Sequence, residues 1–137
     1  MKGNLLWIAV AALAMAGCNQ AESPAQVQED VADARADAQR DIADAQADAQ
    51  ERMAEERTDA ESEWGQQPGE DLGENAGEAA ADSSYKVAVA QAEATHRIAM
   101  EKCEGLSGDA QADCKERADN ELERAKRDAE MRRDGAG

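Results

Sequence analysis

Three side chains in the second half of the chain have the chemistry to bond or to bind a metal: Cys103, Cys114 and His96. Dithiol redox pairs ordinarily stand as Cys-x-x-Cys. The long interval between Cys103 and Cys114 points away from that chemistry. A structural zinc site takes four ligands, and these residues supply three with no fourth at a recognisable spacing. Two geometries remain for the cysteines. In one continuous helix they would stand about 16 Å apart along the axis, far beyond the roughly 7 Å Cα separation that a disulfide tolerates. Ala92, Cys103, Cys114 and Ala125 would then form an eleven-residue stripe facing a partner helix. In a hairpin turning at Gly105–Gly108 the two cysteines meet at its base, and closing that loop stabilises the fold by about 3 kcal/mol in the chain-entropy model. Two glycines inside a helix cost about 2 kcal/mol together, which favours the turn and an intramolecular disulfide. His96 reads as a solvated or hairpin-packed residue. Of the 31 acidic side chains, none pairs with a base or nucleophile in a pattern that makes a pocket. No enzymatic activity, metal or cofactor is expected.

The elements that would position these residues are helical. Val31, Ile42, Met53 and Trp64 recur every eleven residues, and Ala34, Ala38, Ala45 and Ala49 fill the same stripe. Steps of three and four residues are the helical period, and the β-branched alternation of a strand is missing. Residues 27–64 therefore predict one acidic helix of about 57 Å. Asp37–Arg40 and Asp48–Arg52 are favourably ordered helix-surface neighbours. Residues 18–26 read as a tether and 65–83, with glycines at 65, 69, 73 and 77, as a flexible linker. Residues 84–133 read as the helical hairpin. Its first helix carries Tyr85, Val89, Ala92, His96, Ala99 and Cys103 on one face. Its second, from about Ala110, carries Cys114, Ala118, Leu122, Ala125 and Ala129, with Asp109 as N-cap. Residues 134–137 are a tail.

The amino terminus has a different logic. Lys2 precedes the apolar run Leu5–Met15, too short for a span of about 20 residues and suited to an export signal over residues 1–17. Ala16 and Gly17 then precede Cys18. This arrangement resembles the lipobox of bacterial lipoproteins, with Met15 standing where that family usually has leucine. The resemblance implies a diacylglycerol thioether on Cys18 and, after cleavage, an N-acyl chain such as palmitate. Several acyl chains hold a protein firmly on a bilayer. Asn19 follows the cysteine, where an aspartate would resemble an inner-membrane retention signal, so the expected location is the outer membrane, facing the periplasm.

Composition narrows the rest. Leu, Ile, Val and Phe together number 14 in 137 residues, and the formal net charge is −16. So little core-forming material permits alanine-packed helices or disorder, but not a thick globular core. Residues 19–83 hold 19 acids and four bases, whereas residues 84–137 are nearly balanced with 12 and ten. No nucleic-acid partner is expected, because phosphate binding needs clustered Lys and Arg.

Lys102, Cys103, Leu106, Gly108, Cys114 and Ala118 resemble a pattern in small uncharacterised proteobacterial envelope proteins; that resemblance carries no activity. The overall plan is similar to alanine-zipper murein lipoproteins. The repeat here is eleven rather than seven, and the end Arg132–Gly137 lacks the terminal lysine used for peptidoglycan linkage. The expectation is an elongated all-α protein: lipid anchor, acidic helix, disordered linker and disulfide-closed hairpin. Its expected role is a structural or interaction module of the cell envelope, self-associating through Val31, Ile42, Met53 and Trp64 or binding an envelope protein. The alternative is an acidic, largely disordered stress-protective protein, since the repeat also resembles that of desiccation-protection proteins.

Overall fold

The computed structural model describes residues 21–63 and 70–135. Cys18, residues 1–17 that read as an export signal, and Trp64 lie outside them. The fold is all-α, with α1 at Pro24–Glu63, α2 at Glu70–Glu104 and α3 at Gly108–Asp134.

Helix α1 starts inside the segment read as tether, and a capping box fixes the start. The Ser23 hydroxyl oxygen accepts from the Gln26 backbone N–H at 3.3 Å, while Gln26 Oε1 accepts from the Ser23 N–H at 3.2 Å and from its hydroxyl at 2.7 Å. Two otherwise orphaned donors are thereby satisfied, and Pro24 occupies the first helical position, where its missing N–H costs nothing. One residue earlier, the Glu22 N–H donates to the carbonyl of Glu104 at 2.8 Å. The chain ahead of α1 is thus tied to the last turn of α2.

The expected linker is corrected over residues 70–83, which form the first turns of α2. Gly73 and Gly77 lower helix propensity there, but α1 is 40 residues long and its far half needs a partner. Packing decides: Ser83 is 2% exposed, and Glu78, Ala79 and Asp82 share a groove with Arg52 and Glu56 of α1. Tertiary contact overrides a local preference of about 1 kcal/mol per glycine. Residues 64–69 lie outside the described residues.

Among the described residues α1 packs only on α2, and α3 packs only on α2. The three helices form a flat, antiparallel layer with α2 in the middle. Burial along α2 follows from this. Ala94 is 3% exposed on the α1 side and Cys103 is 0% exposed on the α3 side. These residues are nine apart, about two and a half turns, which places them on opposite sides of the helix. The seam with α1 is alanine-rich: Val31, Ala34, Ala38 and Ala49 are buried against α2. Small side chains let helix axes approach to the short end of the usual 8–10 Å range.

The eleven-residue stripe of α1 is therefore used within the chain. Its burial decays along the helix, from Val31 at 8% exposure through half-buried Ile42 to Met53 at 40%. Asp37 and Arg40 form the expected ion pair. Arg52 lies beside Glu56 and α2's Glu78 and Asp82.

Candidate functional site

The hairpin turn brings Cys103 and Cys114 together in a disulfide with Cα atoms 5.6 Å apart. Gly108 makes the turn possible with φ of +59°, a backbone region that glycine enters without steric cost. The Leu106 N–H donates to the Cys103 carbonyl at 3.0 Å and tightens the end of α2. Ser107, not Asp109, holds the N-cap position of α3, with extended backbone and no hydrogen bond from its side chain. Asp109 stands in the first turn, where its charge meets the positive end of the helix dipole.

Polar contacts knit this end of the layer. The Glu104 carboxylate receives Lys115 Nζ at 2.6 Å and the Gln111 side-chain amide at 2.8 Å, both from α3. Glu22 lies close by, half-buried, with one carboxylate oxygen shut away from solvent and unpartnered. Desolvation pushes its pKa up, and Asp30, Glu104 and Glu101 add like charge around it. Four carboxylates from the N-terminal segment, α1 and α2 thus converge where α1 begins and α2 ends.

His96 is half-buried on the α3 side of α2, and its Nε2 lies 2.7 Å from an Asp119 oxygen. The two cysteines are committed to one another, so His96 and the thiols do not act together. Among the described residues no group of three or more His, Cys, Asp or Glu is arranged to hold a metal ion. Farther along the same seam Lys126 pairs with Glu93 at 2.9 Å. On the other seam Arg97 reaches Asp41 of α1 at 2.8 Å.

The two broad faces of the layer differ in kind. One carries Lys86 and Glu93 of α2. The other has shallow grooves on either side of α2, among them two of about 350 Å³ and one of about 390 Å³ lined by Gly77, Ser84, Ala88, Arg132 and Arg133. Ala88 and Gln91 line both of the first two, so they sit on the ridge between them. The groove between α1 and α2 is lined entirely by uncharged residues, among them Gln46, Ala49, Met53 and Ser83. The groove between α2 and α3 has an alanine and Leu122 floor, with Glu121, Asp128 and Arg132 along the α3 edge.

Sequence reasoning missed this face because it assigned α2 a single apolar side. The signal was present: Ser83, Val87, Ala90 and Ala94 form a second stripe at helical spacing, beside the one through Tyr85, Ala92 and Cys103. A helix apolar on two sides is a helix with two neighbours.

Compared with protein-family models, curated proteins and solved structures, the chain matches none.

Proposed function

We propose that this protein is a lipid-anchored module of the cell envelope, standing on the periplasm-facing side of the outer membrane as a spacer or adaptor. The lipobox-like sequence that ends at Cys18 carries the reading, and the bond from the Glu22 N–H to the Glu104 carbonyl says how such an anchor would be mounted. Glu22 follows Cys18 by four residues, and four residues reach at most about 14 Å. Lipid on Cys18 would therefore hold the disulfide end of the layer close to the bilayer. From that base α1 extends about 60 Å outward. The anchor would be a short mount, because Glu22 is tied to α2 and α1 begins at Pro24, inside the segment read as tether.

The apolar run before Cys18, the small residues beside it and the polar segment after it support lipidation, and Asn19 supports the outer membrane. A docked α1–α2 seam supports a folded role over a disordered protectant. We ascribe no catalytic step to the chain. The test is Cys18→Ser in the producing bacterium. The expected result is loss of lipid labelling and release from the membrane fraction. Membrane retention of the substituted chain with unchanged gel mobility would refute the reading.

A further inference from the structure

We propose that the grooved face of the layer, uncharged along its α2 ridge and its α1–α2 groove, is a self-association surface, occupied by the same face of a second copy of this chain. The layer is open there because α1 and α3 both pack on α2 and not on each other. Along the exposed ridge of α2 the residues are small or neutral: Gly77, Ser84, Ala88, Gln91 and Thr95. A run of small residues by itself binds nothing. The decisive additional feature is Ser83, whose side chain is buried at the floor of the α1–α2 groove with its hydroxyl unpartnered. A buried hydroxyl without a partner costs about 1–3 kcal/mol, and a polar group entering the groove from outside removes that cost.

Charge selects the occupant. The chain carries a net charge of −16, so most of its surface repels another copy. A basic partner would be drawn to the acidic surfaces, not to a groove without charge. A second copy has one approach that brings no like charges together across the centre, and that is α2 ridge against α2 ridge. The groups there are also self-complementary. Each glutamine amide is both donor and acceptor, so Gln91 can bond its own counterpart across a two-fold axis. Gln46 and Gln50, at the α1 edge, can meet the other copy's Glu121, Asp128 or Arg132 when α1 lies over α3. An isologous pairing satisfies both conditions with one surface.

Size sets the strength. The open ridge from Gly77 to Ala99 is about 33 Å long, and two interaxial spacings make the layer about 18 Å wide. Roughly 600 Å² per copy is the low end of specific interfaces. The pairing is reversible, and it is favoured where copies are concentrated.

Cysteine crosslinking in intact producing cells tests this, using a thiol-oxidising catalyst and non-reducing gels. Gln91→Cys should give a reducible homodimer. Lys86→Cys, on the ion-paired face, should give at least tenfold less. Adding Ala88→Glu to Gln91→Cys sets two carboxylates against each other and should cut the dimer at least tenfold. Circular dichroism and an intact Cys103–Cys114 bond establish that this variant is folded. Three results would each overturn the proposal: no dimer from Gln91→Cys, equal crosslinking from Lys86→Cys, or capture of a different protein in place of the second copy.

Discussion

Removing both cysteines of the hairpin, as Cys103→Ala with Cys114→Ala, isolates what the disulfide contributes. The bond joins positions eleven apart in sequence, and a loop of that length loses about 3 kcal/mol of unfolded-state entropy when closed. Unfolding entropy near 2.1 cal/mol/K per residue gives about 0.23 kcal/mol/K for roughly 110 folded residues. The expected fall in Tm is therefore about 13 °C, read by circular dichroism at 222 nm in matched buffers. Besides the disulfide, α3 is held at its start by polar contacts to Glu104 from buried Gln111 and partly exposed Lys115, and Ala118 is the next buried apolar residue along it. Loss of the bond should therefore release α3 before α1. Substituting Cys114 alone is the poorer experiment, because it leaves a buried Cys103 thiol free to bond another chain when it opens. Mass spectrometry of the unreduced protein should find the two cysteine peptides linked within one chain. A Tm change under about 4 °C, or free thiols in the native protein, would refute the reasoning.

Three substitutions probe the backbone and the acidic cluster. Gly77 sits inside α2, and a Cβ there meets nothing within 4 Å, so Gly77→Ala should raise stability by about 1 kcal/mol in a denaturant titration. Gly108→Ala has equal space but a φ of +59°, so the same measurement should show a loss of about 1–2 kcal/mol. For Glu22 the sign runs opposite to that of a salt-bridged acid. Its pKa is raised in the folded state, so its docked form is most favourable below the unfolded value near 4.5 and loses ground as pH rises through the folded pKa. Glu22→Gln should leave stability unchanged at the acid end of that window and increase it at neutral pH. An equal effect at all pH values would place the benefit elsewhere.

How much of this was legible in the sequence depends on the kind of signal. The helical period and the hairpin turn were legible because they are local: Gly105 and Gly108 stand between two alanine-striped segments, and only a turn there lets Cys103 reach Cys114. The capping box was equally local but lay in a polar segment read as tether, where Ser23-Pro24 followed by Gln26 was the available clue. The helix over residues 70–83 was not legible. Its glycines speak against helix, and what overrides them is the length of α1, which presents residues 49–56 with nothing else to pack on. The flat arrangement was hidden for a related reason. Stripes say which side of a helix is buried, but the count of neighbours shows only when both sides of α2 are read. The stripe Val31, Ile42, Met53 read as an association surface because α2 was given a single apolar side; in the structure the stripe lies along the later turns of α2, with Met53 beside Val87 and Ala88 and Asp41 paired to Arg97.

The two seams of the layer differ in electrostatics, and this fixes which helix should leave first. Helix α1 carries 13 acids and four bases, and α2 carries eight and three. Packing them side by side sets a charge near −9 against one near −5. Among the described residues one ion pair, Arg97 with Asp41, crosses that seam, and an exposed pair contributes at most about 1 kcal/mol. Helix α3 is nearly balanced, with nine acids and seven bases. Two lysine–carboxylate ion pairs, the His96–Asp119 hydrogen bond and the disulfide join it to α2. Repulsion across the α1 seam acts through water at the layer's edges, so salt screens it: the Debye length falls from about 30 Å at 0.01 M to about 3 Å at 1 M. Amide hydrogen exchange of the oxidised protein should therefore show α1 opening ahead of α2 and α3 in low salt. Protection of α1 should rise steeply between 0.01 and 0.1 M, while protection around Cys103 and Cys114 changes little. If α1 protection is flat across that range, repulsion does not govern its docking, and the alanine seam with the Ser23–Gln26 cap is sufficient on its own.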